Sequence, residues 1–493
     1  MKSARPAKGS LQERGQLTWS DLKPPSAASE QDAIQHVLRL IETNQRRVEC
    51  DFGTNHVPGF QSVGIVGAGV MGALIAAAAV SHGLRVVITD KQEDALETLP
   101  NRIAARLGSN GAPTGHSNDS AIGRLVRPTR RLADVGRCDL VVEAIFEDVL
   151  AKRQLLAELE RELADHSVLA SNTSTIPIGK LAKVLDDPGR FCGCHFFVPL
   201  GQPPMLEIVR AEESRSRTIA AVTKFAAKIN RLPLLVRDEP GFVSNRLIPP
   251  YMAEALQLLA EGVPVDTIEA AATDFGMTVG PLRLCDETGA DTVLDCGWAM
   301  SGSDEDLIVY SPLLPKMVKQ NRLGRKSGAG FFRYDRPATS PQPSARELQP
   351  GERPTAATQW APLKGSSLLA TEPTFAAQPP GRSDPAINEL IAPLVESPRQ
   401  HTNETIIARL FMPVLMEATR MLQRGSVQSP GEIDLAAVLG FGFPPSRGGL
   451  LYWADTLGAA RIVEIARSLE YVGKRYKVPP MLLKMAREGS TFY

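Results

Sequence analysis

The sequence predicts an α/β domain built on a parallel sheet, followed by two copies of one all-α domain, and three observations carry that prediction. From Ser62 to Asp238 short β-branched runs alternate with helical stretches, which is the rhythm of βαβ units. After Gly241 the alternation stops and helical patterning takes over. A segment that begins at Arg246 then recurs at Arg409. A chain of 493 residues exceeds what one hydrophobic core supports, so a division into several units is expected.

Residues 1–60 begin polar, then carry an amphipathic helix around Asp32 to Arg46, with Ile34, Val37, Leu38, Leu40 and Ile41 at helical spacing. They end in a loop of Gly, Pro and Asn, and read as an appendage. The α/β domain takes residues 61–240. Its strands fall at Val63 to Val66, Val86 to Thr89, Leu140 to Ala144 and Val168 to Ala170, with a helix at Leu150 to Ala164. Residues 241–336 form the first helical domain, which closes on Lys326-Ser-Gly-Ala-Gly-Phe-Phe-Arg-Tyr334. Ten prolines between Pro337 and Pro385, among Ser, Ala, Thr and Gln, predict a mobile linker over residues 337–386. Residues 387–493 form the second helical domain.

The repeat is specific. Arg246-Leu-Ile-Pro-Pro-Tyr-Met-Ala-Glu-Ala-Leu-Gln-Leu-Leu-Ala-Glu-Gly262 aligns with Arg409-Leu-Phe-Met-Pro-Val-Leu-Met-Glu-Ala-Thr-Arg-Met-Leu-Gln-Arg-Gly425 at a constant offset of 163 residues. Downstream, Asp286-Glu-Thr-Gly289 is echoed by Asp455-Thr-Leu-Gly458. The second copy keeps the packing residues Leu410, Pro413, Ala418 and Leu422, but places Ala408 where Asn245 stands in the first. It is therefore expected to fold back onto the first copy as a built-in partner that bears no chemistry.

Composition excludes several classes of function. Lys plus Arg equals Asp plus Glu, 55 each, so no bulk field draws the chain to nucleic acid or an anionic membrane. The longest apolar run, Leu74 to Val80, is far too short to span a bilayer, and the charged N-terminus lacks the apolar stretch of a secretory signal. The six cysteines show no paired framework, so a cytoplasmic setting with free thiols is expected.

Gly67-Ala-Gly69-Val70-Met71-Gly72 follows one predicted strand and opens a helix that Gly83 terminates, and the next strand ends at Asp90. Gly67 permits a tight turn, Gly69 lets backbone amides approach a pyrophosphate, and Gly72 lets the helix pack on the strand. Asp90 would accept from a ribose 2′-hydroxyl and repel a 2′-phosphate. The context makes this a Rossmann-type dinucleotide-binding fingerprint with NAD favoured over NADP.

Downstream lie Ser171-Asn-Thr-Ser174, His195, Glu207 and Asn245. An imidazole, a carboxylate and neutral polar side chains are the parts needed to oxidise an alcohol. Each also has a plainer reading: a histidine on an apolar strand is often a satisfied core residue, Glu207 could be a surface carboxylate, and Ser174 and Asn245 could cap helices. Cys192 and Cys194 invite a metal, but on a strand they share one face while His195 takes the other, so no metal is expected.

The stretch from Ser62 to Tyr334 resembles the 3-hydroxyacyl-CoA dehydrogenase family, through Gly67 to Gly72, Val141-Val-Glu-Ala-Ile145, Ser171-Asn-Thr-Ser174, His195-Phe-Phe197, Leu206-Glu-Ile208, Pro240-Gly-Phe242, Asn245-Arg246 and Gly324-Arg-Lys-Ser-Gly-Ala-Gly-Phe331. Residues 404–493 resemble the second helical domain of multifunctional β-oxidation proteins, through Gly442-Phe-Pro-Pro-Ser-Arg-Gly-Gly449 and Tyr452-Trp-Ala-Asp455. The resemblance implies that His195 and Glu207 are catalytic and that Ser174 and Asn245 polarise the substrate. It also implies that Asp90, Glu147 and Lys152 meet cofactor and substrate, Lys152 facing the anionic coenzyme A portion. The implied reaction is NAD-dependent oxidation of (3S)-3-hydroxyacyl-CoA to 3-oxoacyl-CoA, or its reverse, in fatty-acid β-oxidation.

Two departures stand out. Val198 occupies a position where the family usually has Asn, and only 61 residues precede Ser62 where multifunctional relatives carry a hydratase domain of roughly 250 residues. No hydratase activity is expected in this chain. These departures motivate an alternative, a catalytically weak subunit that binds NAD or acyl-CoA and docks hydratase or thiolase partners through residues 1–60 and the linker.

Overall fold

The computed structural model describes residues 22, 29–52, 59–109, 122–196, 204–301, 311–334 and 383–493. Nearly all of the proline-rich linker, most of the segment before residue 29, and Val198 lie outside the described residues.

Eight strands form one sheet: β1 (Ser62–Val66), β2 (Arg85–Thr89), β3 (Val126–Thr129), β4 (Leu140–Glu143), β5 (Val168–Ser171), β6 (Phe191–His195), β7 (Met205–Arg210) and β8 (Leu232–Arg237). Their spatial order is β3-β2-β1-β4-β5-β6-β7-β8, so the order reverses between β1 and β4. Through β6 the pairing is parallel, and β7 then runs antiparallel to β6. The sheet is thus mostly parallel, as expected, with one antiparallel pair. The connection from His195 to Met205 is shorter than the crossover of about a dozen residues that a parallel neighbour needs, so β7 runs antiparallel to β6.

Five helices matter below: α1 (Glu30–Phe52), α2 (Val70–Ser81), α3 (Val149–Glu162), α4 (Ser244–Ala260) and α5 (Asn403–Arg424). α1 starts on a reciprocal cap in which the Ser29 hydroxyl accepts from Asp32 N at 3.1 Å and the Asp32 carboxylate accepts from Ser29 N at 3.3 Å. Its buried face carries Ala33, Val37, Ile41 and Val48. Asn44 donates to Pro233 O of β8 at 2.7 Å, and Arg47 pairs with Glu432 of the second helical copy. The helix thus packs between the sheet and the C-terminal helices, where its apolar stripe is buried.

The second helical copy lies along the first. Arg246 Nε donates to Glu417 Oε1 at 2.8 Å, and Arg409 Nε donates to Glu254 in the opposite direction. Both pairs use the same two positions of the repeat, so the α4–α5 contact has a local two-fold character, as a contact between like subunits has. Phe275 stacks on Phe411 across this contact with ring centroids 4.3 Å apart. Interior carboxylates repeat as well. Glu269 accepts from Leu282 N at 2.7 Å and Asp434 from Leu451 N at 2.7 Å, while Asp286 accepts from Phe331 N at 2.9 Å and Asp455 from Phe492 N at 2.8 Å.

Candidate active site

The antiparallel β6–β7 pair sets His195 directly opposite Glu207. Directly opposed residues on such a pair present their side chains on one face, and here His195 Nδ1 lies 2.8 Å from Glu207 Oε2. Both are buried, at 2% and 0% exposure. An ionised Glu207 can only accept, so the ring proton belongs on Nδ1, and Nε2 keeps its lone pair. That nitrogen has Asn245 Nδ2 at 3.5 Å, and Asn245 Nδ2 also donates to Ser174 O at 2.9 Å. The structure therefore gathers His195, Glu207, Asn245 and Ser174 from β6, β7, α4 and the turn after β5.

That turn is organised by Glu147. Its Oε1 accepts from Thr173 Oγ1 at 2.6 Å, Ser174 N at 2.9 Å, Thr175 N at 2.9 Å and Thr175 Oγ1 at 3.0 Å. Burial would raise this carboxyl, but the Lys152 ammonium and these donors outweigh it, and its pKa lies below the ordinary value. Lys152, on α3, is 1% exposed and reaches Glu143 Oε1 at 2.7 Å, Ile145 O at 3.2 Å and Glu147 Oε2 at 3.4 Å. It donates to Glu143 Oε1 and Ile145 O and pairs with Glu147 Oε2. In this way it holds the two carboxylates beneath the Ser171 to Thr175 turn.

The glycine loop faces the point where strand order reverses. Gly67 has φ +110°, and a Cβ there would fall 2.4 Å from Ala144 O, beyond β4. A Cβ on Gly72 would fall 1.9 Å from Gly67 O, whereas one on Gly69 would meet nothing within 4 Å. Open space over Gly69, at the start of an α2 that has no side-chain cap, leaves backbone N–H groups free for a pyrophosphate. Val70 and Met71 are the first residues of that helix. Asp90 follows β2 and accepts from Ala68 N at 2.6 Å. A dinucleotide fits this crevice outside the carboxyl ends of the strands, where ligands of such sheets bind.

The two domain models of one family cover these elements. The NAD-binding domain of 3-hydroxyacyl-CoA dehydrogenase matches residues 62–239, and the C-terminal domain of 3-hydroxyacyl-CoA dehydrogenase matches residues 241–334 and again 406–491. The chain belongs to the 3-hydroxyacyl-CoA dehydrogenase family. It is a dehydrogenase, and its cofactor is NAD.

Among solved structures, (S)-3-hydroxybutyryl-CoA dehydrogenase from Ralstonia eutropha is 31% identical with a TM-score of 0.51, covering 56% of this chain and 100% of its own. Two others extend over both helical copies and share the fold. The 3-hydroxybutyryl-CoA dehydrogenase of Escherichia coli is 23% identical with a TM-score of 0.65, covering 87% of this chain and 99% of its own. The dehydrogenase part of multifunctional enzyme 1 from Caenorhabditis elegans is 24% identical with a TM-score of 0.57, covering 90% and 96%.

Cys192 and Cys194 lie in the apolar layer on the face of β6 away from His195. Burial pushes the Cys192 thiol up to about 12 and Cys194 well above the ordinary thiol value, and no group able to hold a metal ion occurs among the described residues. Both thiols should resist iodoacetamide in the folded dehydrogenase while the exposed Cys50 reacts, as peptide mass spectrometry will show. Nor is any helix among the described residues long and apolar enough to cross a membrane.

Sequence reasoning missed four side chains of the site. Glu143 anchors Lys152 and accepts from Ser171 Oγ at 2.5 Å, and Asn172 Oδ1 accepts from Phe196 N at 2.7 Å. Thr173 joins Thr175 in holding Glu147. Ser244 donates both its N–H, at 2.9 Å, and its hydroxyl, at 3.0 Å, to Glu207 Oε1. Glu143, Asn172 and Thr173 stand inside the motifs Val141 to Ile145 and Ser171 to Ser174 but drew no role of their own, and Ser244 left the signal of a polar residue beside Asn245 at the start of an apolar helix.

Proposed function

We propose that this dehydrogenase oxidises (3S)-3-hydroxyacyl-CoA thioesters to 3-oxoacyl-CoA, or runs the reverse, as a step of fatty-acid β-oxidation. The observation that carries the reading is the His195–Glu207 pair, with Nδ1 engaged and Nε2 next to Asn245. Bound NAD supplies the hydride acceptor for C3. His195 Nε2 takes the proton of the 3-hydroxyl, and Glu207 holds the ring and stabilises the imidazolium that forms, as a carboxylate does for other catalytic histidines. Asn245 and Ser174 hold the oxygen by neutral hydrogen bonds while its charge develops. Glu147, fixed by Lys152 and Thr173, keeps the Ser174 turn in place and lies beside the crevice proposed for the cofactor. Acetoacetyl-CoA and longer 3-oxoacyl-CoA thioesters should consume NADH, read by its absorbance. No oxidation of NADH with any of them would overturn the proposal.

Asp90 is the proposed partner of the adenosine ribose hydroxyls. The dehydrogenase should therefore use NAD in strong preference to NADP, and Asp90→Ser should narrow the ratio of kcat/KM values by about tenfold, which is ~1.4 kcal/mol. Equal use of both cofactors by the unaltered protein would remove Asp90 from this role.

A further inference from the structure

The second helical copy reaches the catalytic pair. Glu207 is fully buried, and its two oxygens divide their work: Oε2 meets His195, while Oε1 takes both donors of Ser244, the first residue of α4. Behind Ser244 lies the π-helical turn Ala436–Phe441 of the second copy, packed against α4 and β7. Within it, a Cβ on Gly440 would fall 2.6 Å from Ser244 Oγ and 3.2 Å from Ser244 Cβ. Gly440 is not among the residues with positive φ, so the backbone does not demand glycine there. What demands it is the space that the Ser244 hydroxyl fills.

We propose that Gly440 of the second copy seats the Ser244 hydroxyl on Glu207, so that Ser244 and Gly440 are positioning residues for the His195 pair. The inference rests on His195 and Glu207 acting as proposed above. A carboxylate with one oxygen anchored by two donors cannot rotate, and its other oxygen stays aimed at Nδ1. Removing the hydroxyl frees that rotation and leaves Oε1 with one donor. A carboxylate short of a donor holds a proton, or attracts an imidazolium, more tightly. The charged neighbour Arg246 points elsewhere, to Glu417 and Pro240 O, so the hydroxyl is the group to test. The second copy thus backs the residue that anchors Glu207 although it lacks an equivalent of Asn245.

The test is a double-mutant cycle in the full chain. Ser244→Ala should lower kcat about tenfold with KM for NADH unchanged, and should move to higher pH the alkaline limb of the kcat profile for 3-oxoacyl-CoA reduction, where His195 must carry the proton it donates. Gly440→Ala should do the same, because its methyl displaces the hydroxyl. In the Ser244→Ala background, Gly440→Ala should cost less than it does alone, since the hydroxyl at 2.6 Å is gone and only Cβ of residue 244 at 3.2 Å and Met205 Cε at 3.3 Å remain to give way. A wild-type kcat and pH limb in Ser244→Ala, or losses that simply add, would overturn the inference. The His195 imidazole nitrogen shift, read by NMR without substrate, should change in both single variants. That readout is independent of turnover: if the unaltered chain shows no dehydrogenase activity, the functional reading fails while the placement of Ser244 is still decided.

Discussion

Replacing His195 by alanine is expected to lower turnover by about two to four orders of magnitude while NAD binding stays nearly intact. The size follows from what is lost: general-base catalysis at Nε2 and the charge pairing with Glu207 that stabilises the imidazolium. NAD binding survives because the glycine loop and Asp90 follow other strands, β1 and β2, than the β6 that carries His195. Glu207→Gln should fall in the same range, since an amide can still meet Nδ1 but carries no charge. The pair is buried on a rigid two-strand ladder, so neither variant should unfold the domain. Rates of NADH oxidation with acetoacetyl-CoA, together with fluorescence titration of NADH, check both halves. Retained turnover in His195→Ala would remove the imidazole from the mechanism.

The second large effect is on stability. Arg409→Ala is expected to cost about 3–5 kcal/mol, because removing one partner of a buried ionic network leaves charge without compensation. Arg409 is fully buried between the copies, bound to Glu254 and, through Nη1 and Nη2 at 3.1 and 3.0 Å, to both oxygens of Glu261. Arg475 still pairs with Glu254 and His401 with Glu261, which places the loss toward the lower end of that range. Domains are stable by only about 5–15 kcal/mol, so a large drop in melting temperature should follow. A pH signature accompanies it. Burial would raise the Glu261 carboxyl, but hydrogen bonds from His401 and Arg409 outweigh it and hold the pKa at about 2. A carboxyl depressed in the folded state stabilises above its ordinary pKa, and loses that contribution as pH falls toward about 2. Without Arg409 the depression shrinks, so acid unfolding should begin at higher pH. Calorimetry at several pH values measures both effects. A loss within about 0.5 kcal/mol would show that the copies do not depend on this network.

Much of this was legible in the chain because it is written in short windows. Gly67, Gly69 and Gly72 announce a crevice through their spacing between a strand and a helix with Asp90 closing the next strand, since each glycine answers a local demand of turn, approach or packing. β1, β2, β4 and β5 follow from β-branched runs, whereas β3, Val126-Arg-Pro-Thr129, is not among the strands read from the sequence, and the duplicated helical domain follows from matched residues at one offset. The same match held the Arg246/Glu254 and Arg409/Glu417 positions, although nothing in either copy said that each arginine would cross to the other copy's glutamate.

What the tertiary structure decided concerns partners distant in sequence. His195 and Glu207 could be read as candidates, yet their contact depends on β7 running antiparallel to β6, a direction that neither strand's residues state. Lys152 read as a cation for an anionic substrate, and burial turned it inward to Glu143 and Glu147. Its charge was visible in the sequence, but its solvation was not, and an ammonium taken out of water must find its acceptors within the fold. Gly440 lies 196 positions beyond Ser244. Local propensity encodes which elements form. Which faces meet is set by the burial of whole elements against one another, and at Gly440 that packing leaves room for a hydroxyl and none for a methyl group.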